Sequence, residues 1–170
     1  MTGADSSIQN LKALAGKAVV YPSPEAFLGY LLPRAELRRQ GVTVTEQFAG
    51  NQEGAMARLR SGAAVAAGVS LAVFESYAKR ESFNYRVLWT SPAYPDIPVM
   101  AHPRVPAAAV VAVRNALLTM ANDPAGRKIL AQSAAAVGQK QVAGFIKAED
   151  SDYDSLRHFY RDDVTRGAGR

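Results

Sequence analysis

The chain has no cysteine, so disulfides, thiol nucleophiles and thiolate metal sites are all excluded. It holds only two histidines, His102 and His158, which lie far apart and lack the i+4 histidine or neighbouring ligand triad of a zinc site. Phosphate loops, dinucleotide fingerprints and Gly-x-Ser-x-Gly elbows are missing as well. Catalysis, a cofactor and a bound metal are therefore not expected. No apolar run is long enough to cross a bilayer, because Gly, Pro or charge interrupts each one. The first residues lack the basic and apolar regions of a secretion signal, so the chain as written is expected to stay where it is made. Asp150, Asp152 and Asp154 superficially suggest a calcium loop, but the glycine and glutamate that such a loop requires are absent.

Its 170 residues carry a net charge of +5, yet the basic residues are scattered among acids: Arg34, Arg38 and Arg39 share a segment with Glu25 and Glu36. Nucleic-acid binding would need clustered positive charge with aromatic platforms, and is not expected. Nearly half the residues are hydrophobic, which suits a globular domain with a real core.

The most informative stretch runs from Leu14 to Val69. Short apolar strands at Ala18–Tyr21, Val42–Phe48 and Val65–Val69 alternate with segments of helical character. Ser23, Pro24 and Glu25 read as a helix start, with Ser23 as N-cap. That helix is expected to run to Gln40, with Gly41 as its C-terminal cap and Pro33 as a kink. A second helix is expected from Glu53 to Ser61 and a third from Leu71 to Arg80. Beyond Glu81, Tyr85–Thr90 reads as a strand, and Ser91–Pro98 as an extended, proline-stiffened segment. Val99–Ala101 is a candidate strand and Val142–Ile146 a short apolar segment. Helices are expected from Pro106 to Ala121, from Asp123 as N-cap, and over Tyr153–Tyr160.

In an open α/β sheet, the loops at the carboxyl ends of parallel strands line the crevice where ligands sit. That rule makes Tyr21, Ser23, Asn51, Gln52 and Ser70 candidate ligand-binding residues. Ser91 and Tyr94, on the extended segment, join them. Capping is the ordinary role for Ser23, Asn51 and Ser70, and packing the ordinary role for the two tyrosines.

Leu14–Tyr21, Leu32–Leu37 with Gly41, Gly50–Glu53, Tyr85–Pro92 with Ile97 and Pro98, Asn122–Arg127, and Gly144–Phe145 before Asp152–Asp154 occur in this order along most of the chain. In that order they resemble the phosphate/phosphite/phosphonate-type substrate-binding proteins of ABC transporters. The resemblance implies an α/β, periplasmic-binding-protein-like (type II) fold of two lobes gripping an oxyanion. It covers only the later part of such a protein. It implies an α/β second lobe over 12–84 and a crossover with C-terminal elements of the first lobe over 85–164, while the residues themselves read as a flexible leader over 1–11 and a frayed tail over 165–170. The expected partners are a small phosphate- or phosphonate-like oxyanion and an inner-membrane ABC permease, in the periplasm. Three positions that are polar in the family pattern are apolar or neutral here: Ala26–Leu28 replaces a Ser/Thr turn, Gln52 a histidine and Val65 an aspartate. Phosphate and phosphonate are accordingly expected to bind weakly or not at all. The alternative expectation is a non-binding remnant whose uncovered first-lobe surface associates into homodimers.

Overall fold

The computed structural model describes residues 1–136 and 144–164; the expected tail over 165–170 and the Val142 end of the short apolar segment lie outside these. The chain divides into two compact units, Met1–Pro92 and Ala93–Arg170.

The first unit is built on a three-stranded parallel sheet. Its strands are β2 (Ala18–Tyr21), β3 (Thr45–Phe48) and β4 (Ala66–Ala67), in the spatial order β3-β2-β4. Successive side chains on a strand point to opposite faces, and β2 uses both. Val20 joins Ala67 in a core with Ala55, Met56 and Leu59 of α2 (Gln52–Arg60) and Phe74, Tyr77 and Ala78 of α3 (Leu71–Arg80). Val19 and Tyr21 join Ala66 on the other face, under Leu37 of α1 (Leu32–Arg39) and Tyr30. A sheet covered on both faces reads as apolar runs without alternation, which is why Ala18–Tyr21 and Val65–Val69 stand out in the sequence.

Ser23–Glu25 does not start the first helix. It forms a turn closed by the Ala26 N–H donating to the Ser23 carbonyl at 3.2 Å, and helical backbone begins at Phe27 with one π-helical turn, Phe27–Leu31. Pro33 explains the wide turn. In a regular α-helix its ring would crowd the carbonyl four residues back, and it has no N–H to offer. The Leu32 N–H reaches instead to the Phe27 carbonyl, so Pro33 enters α1 near its start, not as a mid-helix kink. Gly41, at φ +69°, ends the helix as expected, with the Val42 N–H returning to the Leu37 carbonyl at 2.8 Å.

The first residues are not a loose leader. Thr2–Gly3 (β1) pairs antiparallel with Tyr85–Arg86 (β5), and Thr2 is fully buried with its hydroxyl donating to the Val65 carbonyl at 2.7 Å. Ile8 sits in the α1-side core. Arg86 secures the segment through its guanidinium, which donates to the carbonyls of Ala4 (2.8 Å), Ser6 (3.2 Å) and Ile8 (3.1 Å). Of the expected strand Tyr85–Thr90, only the two residues opposite β1 are paired.

The second unit contains α4 (Ala107–Thr119), α5 (Pro124–Ala136) and α6 (Asp154–Phe159). Asp123 caps α5 as expected, accepting from the Gly126 N–H at 2.7 Å. Val99–Ala101 forms no strand. The buried residues of α5 are Gly126, Leu130 and Ala134, while α4 buries none.

At the edge of the first unit, Tyr30 stacks edge-on against both Tyr21 and Phe48 at 5.0 Å and donates its hydroxyl to Glu46 at 2.7 Å. Arg34 approaches the same carboxylate at 3.4 Å and lies 5.6 Å from the Tyr30 ring centroid. Burial, followed by the bond and charge of Glu46, pushes the Tyr30 phenol up to about 12 from 10.0. The neutral phenol is the form favoured by folding. Its contribution to stability is therefore complete below about pH 10 and is lost as pH rises towards about 12. Glu46→Gln is expected to shift this ionisation to lower pH, as read from the tyrosinate absorbance of variant against parent.

Gly29 and Gly68 bring the start of the first helical segment onto the end of β4. A Cβ on Gly68 would clash with the Gly29 carbonyl oxygen and lie 2.7 Å from the Tyr21 ring. Neither the backbone nor a fully buried ring can yield. Gly68→Ala is expected to cost about 1–3 kcal/mol, measured as a lower urea midpoint at unchanged slope.

Candidate functional site

Register places the three strand ends at one level. Tyr21 pairs with Phe48, and Val20 pairs with both Gln47 and Ala67. The turns that follow leave the sheet together, tied by the Ala49 N–H to the Tyr21 carbonyl at 2.9 Å and the Gly68 N–H to the Val20 carbonyl at 2.9 Å. The connection through α1 carries the chain from β2 to one side, and that through α2 carries it back across β2 to the other. This reversal lies between β2 and β4, the position where open α/β sheets form their ligand crevice. Here Gly29 and Gly68 pack closely in that gap, so any ligand would meet the rim of turns above it.

The rim brings three of the candidate residues together. Asn51 caps α2, its Oδ1 accepting from the Gly54 N–H at 2.8 Å. The neighbouring Gln52 reaches across to the next turn, where its Oε1 accepts from the Ser70 N–H at 2.8 Å. Ser70 occupies the N-cap position of α3, but its hydroxyl makes no capping bond. Asn51 and Gln52, adjacent in sequence, therefore do different work: one closes its own helix and the other joins two turns.

The other candidates are placed elsewhere. Tyr21 is fully buried in the α1-side core, so it does not close over the crevice as a mobile ring. Its hydroxyl is the one buried side-chain polar atom without a hydrogen-bond partner among the described residues. Burial, then the Glu46 charge, raises its pKa strongly. Ser23 is half-buried beside the Ala26 turn and is not a helix cap. Ser91 donates its hydroxyl to the Pro92 carbonyl at 2.9 Å. Tyr94 belongs to the second unit, where its ring meets Phe159 edge-on at 6.5 Å. Val65, the apolar replacement at an acidic position of the family pattern, packs at the margin of the α1-side core.

The sequence reading missed the Tyr30–Glu46–Arg34 cluster. Its members are separated by 4–16 positions on three elements, and no spacing rule links them. The available sign was the alternation of Glu46 and Phe48 on a strand beside Tyr21. His102 is used locally, its Nδ1 accepting from the Arg104 N–H at 3.1 Å. Among the described residues, no group of three His, Asp or Glu side chains is placed to hold a metal, and no helix is long and apolar enough to cross a membrane. A shallow groove lined by Glu75, Lys79, Ser82 and Asn84 lies at the C-terminal end of α3, away from the rim.

Comparisons with known proteins agree with this architecture. Two solved structures of XAC2383 from Xanthomonas citri are similar to the chain. The form bound to chloride ion has a TM-score of 0.73 at 19% identity, and the form bound to ATP a TM-score of 0.69 at 20% identity. Each likeness covers 97% of this chain, which spans 63% and 64% of the respective XAC2383 chains. No curated protein sequence matches. The model of the family described as "ABC transporter, phosphonate, periplasmic substrate-binding protein" matches residues 1–153. The periplasmic-binding-like α/β fold, its strand-end rim and this match over nine-tenths of the sequence lead to one assignment: the chain belongs to the phosphonate-type periplasmic substrate-binding protein family of ABC transporters.

Proposed function

We infer that this chain is the solute-binding part of an ABC importer and holds a small oxyanion on the rim formed by the turns after β2, β3 and β4. The observation that carries this reading is the family match over residues 1–153, taken with the hydrogen-bond donors gathered where those turns meet. Binding, not transformation, is the role, with an inner-membrane permease as the partner that takes up the bound solute. The donors are neutral amides and hydroxyls. Charge-assisted bonds are roughly twice as strong as such neutral ones, so the hold on phosphate or phosphonate is weak.

A second reading has its own support. The second unit exposes Ile97 (90%), Met100 (82%) and Ile146 (88%), and α4 contributes nothing buried. Apolar surface of this kind marks association sites. On that reading the chain is a non-binding remnant that pairs with a second copy. Light scattering separates the two: a monomer argues against the remnant.

Isothermal titration of the full chain with phosphate, phosphite and methylphosphonate is expected to show binding weaker than about 1 μM, a free energy of no more than about 8 kcal/mol in magnitude. Silence at millimolar concentration would contradict the solute-binding reading. Submicromolar affinity would contradict the weak hold.

A further inference from the structure

The sheet of the first unit is wider than its three parallel strands. Met1 and Ala67 exchange two hydrogen bonds, the Met1 amine to the Ala67 carbonyl at 2.9 Å and the Ala67 N–H to the Met1 carbonyl at 2.9 Å. This reciprocal exchange is the hydrogen-bonded pair of an antiparallel ladder. β1 follows directly from Met1 and pairs with β5 on its other side. The full order is therefore β3-β2-β4-β1-β5, with β5 outermost.

The ladder also shows where the open side of β5 lies. The Ala4 N–H donates to the Asn84 carbonyl at 3.0 Å, and Thr2 stands opposite Arg86. Antiparallel residues alternate between exchanging hydrogen bonds with the partner strand and turning their peptide groups away from it. Gly3 and Tyr85 are then the pair without hydrogen bonds, and the Tyr85 N–H and C=O point away from β1. Neither these nor the same groups of Val87 and Trp89 have a backbone partner among the described residues. The chain beyond β5 keeps the alternation of a strand. Tyr85 packs on the α3-side core and Leu88 on the α1-side core, while Val87 is 40% exposed. Tyr85–Thr90 is rich in strand-forming residues, yet most of it lies unpaired at an open edge, and such an edge is a template for another strand.

The charges beside this edge are unusual. Glu75 and Lys79 stand four positions apart on α3, in the order that favours an ion pair within a helix. They pair neither with each other nor with any described residue, although Glu53, Arg60, Arg80 and Glu81 nearby are all paired. Both line the groove that Tyr85 shares.

We propose that the open edge of β5 is an interface between two copies of this chain, joined antiparallel about a twofold axis at Val87. Tyr85 of one copy pairs with Trp89 of the other, Val87 pairs with its own counterpart, and one sheet continues through both molecules. An axis perpendicular to the sheet also sets α3 antiparallel to its counterpart, so that Glu75 of one copy meets Lys79 of the other. A patch that carries both signs of charge is self-complementary, as a twofold interface requires. This pairing uses the first unit alone, and so differs from association through the apolar surface of the second unit.

Sedimentation of the full chain is expected to show a dimer. Val87→Pro removes an outward donor that has no bond within the chain, a change that sheet edges tolerate, and is expected to raise the dissociation constant about tenfold or more. Glu75→Lys sets like charges across the axis and is expected to raise it about threefold or more. Adding Lys79→Glu to that variant is expected to restore the parent value. Because the chain has no cysteine, Val87→Cys supplies a single thiol. Its oxidation is expected to link two copies, since Cα atoms of a hydrogen-bonded antiparallel pair lie about 5.5 Å apart, within disulfide reach. Ile146→Cys, at a position of the second unit that is 88% exposed, is expected to stay unlinked under the same conditions.

A parent that is monomeric at about 1 mM would overturn the proposal. So would a dimer that neither Val87→Pro nor Glu75→Lys weakens, or linkage through Ile146→Cys in place of Val87→Cys, which would favour the remnant reading. Restoration by the exchanged charges decides the matter even if Val87→Pro fails to fold.

Discussion

The structure depends on a single strand that must be buried on both sides. Val20 and Tyr21 are neighbours on β2, yet they anchor opposite cores, one shared with α2 and α3 and the other with α1. Neither core can form without the strand, and the strand has no exposed face on which to tolerate polarity. The two edges of the sheet are secured differently. Beyond β4, the Ala67 N–H donates to the Met1 carbonyl at 2.9 Å, and beyond β3 the Tyr30–Glu46–Arg34 cluster closes the margin. Ion pairs of Arg80 with Glu53 and of Arg60 with Glu81 link α2 to α3, but they lie on the surface, where such pairs contribute little.

That same burial explains the character of the rim. Because Gly29 and Gly68 close the gap between β2 and β4 backbone to backbone, recognition at this end of the sheet falls to side chains standing on the turns. The turns supply neutral groups, and two of these are committed before a ligand arrives: Asn51 to its own helix and Gln52 to Ser70. Each commitment uses an acceptor and leaves a donor. A site that is donor-rich without being strongly charged follows from ordinary capping and turn-joining, with no special feature added for the purpose.

How much of this could be read from the residues varies with the range of the interaction that decides it. Apolar runs and cap residues are local. They located β2, α3 and the Gly41 terminus, and they put Asn51, Gln52 and Ser70 at helix starts. The π-helical turn was hidden because Ser23, Pro24 and Glu25 make a good local helix start, and Pro33 was read as a later kink when it instead widens the turn that opens the helix. β1 was invisible for a different reason. Its partner, β5, lies more than eighty positions away, and nothing in Thr2 or Gly3 announces a strand. Val42 was read as strand because it is apolar, but it packs beneath α1 before pairing begins at Thr45. For the site, sequence gave positions but not orientation: the direction of the Gln52 carboxamide is set by an amide 18 residues away.

The central claim is that the turns after three parallel strands form one donor-lined rim. Backbone and side-chain amide resonances of the full chain, followed by NMR during titration with sulfate, test it most directly. The account predicts shifts at the Gln52 and Asn51 side-chain amides and at the backbone of Gly68–Ala72, with the C-terminal end of α3 around Ser82–Tyr85 unmoved. Shifts confined to that distant end, or scattered over both units without the Gln52 amide, would contradict it.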